Sequence, residues 1–213
     1  ALVTLTNRPM RGYSVSFSPN GSLLAVGWYN GRVDLWNVPG RRLIRALTDR
    51  DQPYQGRVAF SPVRNLPAAT SEPRVVTLYD LDSGRESILW RAPTLGAGDV
   101  RDLAFSQDGS RVVIYAGSAR STPEFADAVW VVNASSAEIE SRHPTIYSYN
   151  PEIGAARLSP DNRRVYLARS DRPNYRYNIQ CLDLVTGAEL WQTERQRDLG
   201  LSTLAISPDG RVL

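Results

Sequence analysis

A serine-led turn recurs five times in this chain: Ser18-Pro19-Asn20-Gly21, Ser61-Pro62, Ser106-Gln107-Asp108-Gly109, Ser159-Pro160-Asp161-Asn162 and Ser207-Pro208-Asp209-Gly210. Successive serines are separated by 43, 45, 53 and 48 residues. Each is preceded by an apolar residue, namely Phe17, Phe60, Phe105, Leu158 or Ile206. A repeat of this length has to fold as one supersecondary unit per period, stacked on its neighbours.

The unit is clearest in Tyr13 to Val38, YSVSFSPNGSLLAVGWYNGRVDLWNV. Tyr13, Val15 and Phe17 alternate with Ser14, Ser16 and Ser18, which predicts a strand with its apolar residues on the buried face. Proline fits the second position of the turn and glycine accepts positive φ, so the turn closes a hairpin. Leu23 to Trp28 is a nearly continuous apolar run, as expected of a strand covered on both faces, and Tyr29-Asn30-Gly31 turns the chain into a third strand, Arg32 to Val38. The triplet Leu35-Trp36-Asn37 has counterparts in Leu78-Tyr79-Asp80, Val131-Val132-Asn133 and Cys181-Leu182-Asp183. Three or four short strands per period, with no sustained 3.6-residue apolar period, predict an all-β β-propeller built of four-stranded antiparallel blades.

On these residues the chain resembles WD-repeat proteins of the propeller class, and SFSPNGSLLAVGWYNGRVDLWNV is the best match to their repeat. The resemblance implies a non-catalytic scaffold that binds a protein or peptide. Blades of that family often carry a Gly-His pair before the first strand and an aspartate in the turn before the third. Here the single histidine is His143, and the turn holds Asn30, Glu72 and Asn178, with Asp127 in the third repeat.

The strand pattern places blades at about 12–48, 57–91, 100–142 and 154–193, with Leu201 to Leu213 starting a fifth and residues 1–6 supplying the outer strand of another blade. Four whole blades with these flanking pieces are expected to be an incomplete part of a larger propeller, because the first and last blades of a ring hide each other's apolar faces.

Counting from each turn serine to the closing Asn or Asp gives 19, 19, 27 and 24 residues, so the third and fourth blades carry insertions. Both fall in the loop between second and third strands, in Gly117 to Asp127 and Ser170 to Asn178, which puts them on one face. Insertions on one side of a repeat array often mark its binding side. They bring Arg120, Phe125, Arg172, Tyr175, Arg176 and Tyr177, and the linker between the two blades adds Tyr147 and Tyr149. Arginine and tyrosine suit binding hot spots because each combines apolar area with directed hydrogen bonds. The competing reading is of tolerated surface insertions whose aromatics pack locally.

Other chemistry is sparse. Cys181-Leu182-Asp183-Leu184-Val185-Thr186-Gly187-Ala188-Glu189-Leu190-Trp191 resembles the tryptophan-docking repeat of quinoprotein propellers, whose tryptophan has a structural role. An exported propeller enzyme of pyrroloquinoline quinone type is therefore the alternative function. No Cys/His cluster, phosphate-binding glycine loop or calcium loop occurs, so no catalytic, metal or cofactor residue is assigned. His143 is expected in a solvated loop, Cys181 as a buried thiol, and Asp99 and Asp102 as ordinary polar residues at a strand start. All 25 basic residues are arginine and lie along the whole chain against 22 acidic ones, unlike the clustered charge of a nucleic-acid binder. No window approaches the roughly eighteen apolar residues of a membrane helix.

Overall fold

Each serine-led turn closes its hairpin through the serine hydroxyl. In the computed structural model, which describes residues 11–49, 51, 54–93, 98–117, 128–144, 151–171, 176–194, 196–197 and 204–212, Ser18 Oγ donates to Asn20 Oδ1 (2.8 Å) and accepts from Leu23 N–H (3.0 Å). Ser106 does the same with Asp108 and Arg111, Ser159 with Asp161 and Arg164, and Ser207 with Asp209 and Val212. The second repeat has Val63 where the others have Asn or Asp, and there Val63 N–H bonds weakly to Ser61 Oγ (3.4 Å). The closing Asn or Asp of each triplet accepts backbone N–H groups of the next turn: Asp80 from Asp82 and Ser83, Asn133 from Ser135 and Ser136, Asp183 from Val185 and Thr186. Short polar side chains favour such turns because they satisfy backbone donors locally.

These bonds hold several carboxyl groups below the ordinary aspartate range. Backbone and hydroxyl donors of Ser83 lower Asp80, the Ser159 hydroxyl lowers Asp161, the Thr186 amide and hydroxyl lower Asp183, and the Ser207 hydroxyl lowers Asp209. At Asp108 partial burial opposes ionisation, but Ser106, Ser110 and Asn162 outweigh it and bring the group to about 2. A carboxyl lowered in the folded state adds stability that is complete above the unfolded value near 4 and disappears as pH falls through the folded value. The melting temperature is therefore expected to decline between about pH 4 and pH 2, and less steeply in Asp108→Asn. Melts that stay level across that window would refute this.

Among the described residues the strands form four antiparallel sheets, each in simple chain order. β1 (Gly12–Phe17), β2 (Leu23–Trp28), β3 (Val33–Asn37) and β4 (Arg42–Thr48) make the first blade. β5 (Val58–Phe60), β6 (Pro67–Glu72), β7 (Val75–Tyr79) and β8 (Glu86–Arg91) make the second. β9 (Asp99–Phe105), β10 (Arg111–Gly117), β11 (Ala128–Asn133) and β12 (Ile139–Pro144) make the third. β13 (Pro151–Leu158), β14 (Arg164–Asp171), β15 (Arg176–Asp183) and β16 (Glu189–Gln192) make the fourth, with β17 (Gln196–Arg197) also paired to β15. Residues 204–212 form a further serine-led turn, closed by Ser207 N–H to Val212 O (2.9 Å). The expected strand at Leu2 to Leu5 lies outside the described residues. The fold is all-β, of the propeller-blade kind, and it divides into two compact units, Ala1–Leu89 and Trp90–Leu213.

In the first unit the first and second blades pack face to face. Ala25, Val33, Leu35 and Leu47 of the first meet Val58, Phe60, Ala69 and Tyr79 of the second. Burial in this layer, followed by the nearby Glu86 carboxylate, pushes the Tyr79 phenol up to about 12. The innermost strands are joined by hydroxyls: Val58 N–H donates to Ser14 Oγ (3.2 Å), and Phe60 N–H to Ser16 Oγ (2.9 Å). Ser14 and Ser16 thus face the neighbouring blade, while Tyr13, Val15 and Phe17 are exposed. This reverses the expected orientation of β1. Strand alternation separates two faces, and here the packed one is polar because it must satisfy the next strand's free amides.

The turn between β2 and β3 is fixed from beneath. Asp34, fully buried, accepts from Trp28 Nε1 (3.0 Å) and Arg32 Nε (2.7 Å), and Arg32 also pairs with Asp49. Thr48 Oγ1 donates to Gly31 O (2.9 Å). Gly31 has φ 80°, and an added Cβ would meet the Tyr54 ring at 2.5 Å, so the position demands glycine twice over.

In the second unit Val113, Tyr115, Val129 and Val131 of the third blade pack against Ala156, Leu158, Val165 and Leu167 of the fourth. Asp102 is buried and joins the innermost strands, accepting from Ala156 N–H (2.9 Å) and Arg157 Nη1 (2.6 Å). It occupies the place of Ser14 in its own blade and is more than a polar strand start. His143 is not in a solvated loop. It is 7% exposed on β12, its Nε2 lies 3.0 Å from Ser141 Oγ, and its Nδ1 would touch a Cβ added at Gly187. Burial lowers its basicity, against a smaller opposing hydrogen bond to the Leu184 backbone and the charge of Asp183. Cys181 is buried, as expected, and burial pushes its thiol up.

Candidate interaction rim

The fourth blade departs from the regular repeat at the place of its insertion. In the first blade β2 and β3 pair from Leu23↔Asn37 to Gly27↔Val33. In the fourth, β14 and β15 pair from Arg164↔Asp183 outward to Asp171↔Arg176. Ser170, Asp171 and Arg176 to Asn178 of the insertion therefore extend the hairpin, since each added pair continues the ladder.

Strands on both sides support this extension. Pro151 and Glu152 of β13 pair with Asp171 and Ser170, and Gln196 and Arg197 of β17 pair with Tyr177 and Arg176. Two cross-strand rows of the backbone ladder result, Pro151-Asp171-Arg176-Arg197 and Glu152-Ser170-Tyr177-Gln196. Lower in the hairpin, Asn178 Nδ2 donates to Gln192 Oε1 (2.9 Å) and Ile179 N–H to Thr193 Oγ1 (3.0 Å). A lone two-stranded hairpin is marginal in water, whereas four strands side by side make a firm base.

Of the eight residues singled out by sequence, Arg176 and Tyr177 lie on β15 at the end of this extension, and Tyr177 is half-buried. Arg120, Phe125, Tyr147, Tyr149, Arg172 and Tyr175 lie outside the described residues. In the third blade the last described residues before and after the insertion are Gly117 and Ala128, and Arg101 Nε donates to Gly117 O (3.3 Å).

The first unit has an aromatic cluster of its own that sequence spacing did not reveal. Arg57 Cζ lies 4.2 Å from the centre of the Tyr13 ring, and the Tyr13 and Tyr29 rings are 6.4 Å apart. Both tyrosines are exposed. The three come from β1, the β2–β3 turn and the start of the second blade, which are distant in sequence. The signal available was Tyr29 itself, a large aromatic in a two-strand turn.

The tryptophan-docking-like segment is held by its turn. Asp183 Oδ1 accepts from Val185, Thr186 N–H and Thr186 Oγ1, and Trp191 is 40% exposed with its ring 5.9 Å from Tyr166 of the same blade. Among the described residues no group of three His, Cys, Asp or Glu side chains is placed to hold a metal. No helix of the described residues is long and apolar enough to cross a membrane.

Comparison with known proteins agrees with this architecture. The family model "WD domain, G-beta repeat" matches residues 13–37, the first three strands of the first blade. Meiotic recombination protein rec14 of Schizosaccharomyces pombe is 34% identical over 73 residues, 34% of this chain and 24% of that protein. The match thus spans about a quarter of the relative's length. A chain in a crystal structure of the mitotic checkpoint complex is similar over 89% of this chain and 52% of its own, at TM-score 0.60 and 18% identity, a likeness of fold. The WD-repeat match is confined to the first blade, and the likeness to the solved structure over most of the chain is one of fold.

Proposed function

We propose that this chain of WD40-type propeller blades is a non-catalytic scaffold, and that it docks a protein or peptide on the rim of its third and fourth blades. The WD-repeat match and the relatives support a protein-interaction scaffold in general. The observation that favours this rim is the extended hairpin of β14 and β15, braced by Pro151–Glu152 and Gln196–Arg197, which ends at the inserted arginines and tyrosines. A rigid base reduces the entropy lost when a tip is ordered by a partner, so contacts made there contribute more net affinity. Arg120, Phe125, Tyr147, Tyr149, Arg172, Tyr175, Arg176 and Tyr177 are the proposed contact residues. Protein rather than nucleic acid is the proposed partner, since 25 arginines are offset by 22 acidic residues along the chain.

Replacing Arg172, Tyr175 and Tyr177 together with alanine is expected to weaken partner capture about tenfold or more while leaving the melting temperature near that of the parent. The measurement is a pull-down titration with parent and variant run side by side. Equal capture by the two would remove this rim from consideration.

A further inference from the structure

We propose that His143 is a proton-sensitive latch between the third and fourth blades: neutral, it holds the β15–β16 turn of the fourth blade against β12 of the third, and protonated it lets that turn go. The ring is buried and both of its nitrogens are engaged. Nε2 lies 3.0 Å from Ser141 Oγ. The other side of the ring meets the turn, where Nδ1 would stand 3.1 Å from a Cβ added at Gly187 and the ring bonds the Leu184 backbone. Leu184 N–H is already given to Arg163 O (2.9 Å), so its carbonyl is the group that faces the histidine. A carbonyl only accepts, which puts the proton on Nδ1 and leaves Nε2 to accept from the Ser141 hydroxyl. One neutral tautomer therefore satisfies the junction at both nitrogens.

A second proton upsets this arrangement. It charges a ring that has lost its water, and it makes Nε2 a donor facing the hydroxyl that had been donating to it. The charged groups around the ring compensate little. Asp183 is the carboxylate that acts on it, but Asp183 Oδ1 already accepts from Val185 N–H, Thr186 N–H and Thr186 Oγ1, and Arg164 stands opposite Asp183 in the β14–β15 ladder. On β16, Glu189 is taken by Gln180 Nε2. On β12 itself Arg142 lies over the Trp130 ring, and Glu140 is bonded by Arg111 and Asn133. Burial is the larger influence, so the folded ring gives up its proton more readily than a free histidine. The stability it contributes is thus complete above the unfolded value of about 6.5 and is lost as pH falls through the lower folded one. Asp183, held below the ordinary aspartate range, stays charged as the histidine titrates.

The second blade carries the control. Its turn makes the bonds Asp80 N–H to Arg85 O, Gly84 N–H to Asp80 O and Leu81 N–H to Asn65 O, and the fourth blade repeats them as Asp183 N–H to Ala188 O, Gly187 N–H to Asp183 O and Leu184 N–H to Arg163 O. Yet a Cβ added at Gly84 would meet nothing within 4 Å, so no imidazole lies against that turn. Amide hydrogen exchange of both turns is measured in the full-length protein at about pH 7.5 and about pH 5, without any partner and corrected for the intrinsic exchange rate. Protection of 183–188 is expected to fall about fivefold or more on acidification relative to 80–85, and the step is expected to vanish in His143→Gln. Titration of the ring by NMR in the parent should have its midpoint below about 6.5, so a variant that fails to fold still leaves two readings. Equal relative protection at the two pH values overturns the proposal, as does a step that persists in His143→Gln or a ring midpoint at or above about 6.5.

Discussion

Asp34→Ala is expected to destabilise the first unit by about 3 kcal/mol, the cost of leaving a buried cation and a buried indole donor without their acceptor. Asp34 is fully buried and serves Trp28 Nε1 at 3.0 Å and Arg32 Nε at 2.7 Å. Arg32 keeps its second partner, Asp49, so the loss stays at the lower end of the range for a broken buried pair. Asp49 is largely in water, with a side chain 75% exposed, and is worth little by itself. For a unit of this size the change corresponds to a fall in melting temperature of about 10 °C or more. Calorimetry gives the shift, and near-ultraviolet dichroism reports the loss of the fixed Trp28 environment. Asp34→Asn retains one acceptor and should fall between variant and parent. A shift under about 2 °C for Asp34→Ala would show that the network is not holding the β2–β3 turn.

Gly27→Ala should be comparably harmful for a purely steric reason. A Cβ at Gly27 would lie 2.1 Å from Gly56 O, and this is backbone against backbone. Neither side can withdraw easily: β2 is paired on both edges, and Gly56 N–H is bonded to Trp28 O at 2.8 Å. Overpacking of this severity costs about 3 kcal/mol. Gly84→Ala is the informative control. Gly84 has φ 73° and nothing within 4 Å of an added Cβ, so only the left-handed backbone is penalised, by about 1 kcal/mol. Chemical denaturation of both variants separates the two effects. Equal losses would mean that the crossing at Gly56 gives way to the added methyl and does not set the requirement at position 27.

Turn chemistry was readable because it is local. Ser18 and Asn20, or Asp183 and Thr186, meet within a few residues, and their bonds are those that their types and spacing dictate. In the fourth blade the candidate rim was legible only as an excess of length between Ser159 and Asp183, as it was in the third between Ser106 and Asn133, and the fourth blade's strands show what that excess does. Whether those residues looped out or lengthened a hairpin depended on Pro151–Glu152 and Gln196–Arg197, which are remote in the chain and supply the flanking ladders. His143 went the other way. A histidine before proline looks like a loop residue, but β12 pairs it with Val129 and the turn at Gly187 closes over its ring.

By itself the sequence determined the repeat, the order and class of the strands, and the turns that separate them, because each follows from contacts within about twenty residues. Tertiary structure alone decided which face of β1 is packed, why Ser14 and Asp102 occupy equivalent places, and where the aromatic pair of Tyr13 and Tyr29 gathers around Arg57. Period-two alternation marks two faces as different, but the neighbour whose unpaired amides need an acceptor selects the one that is buried.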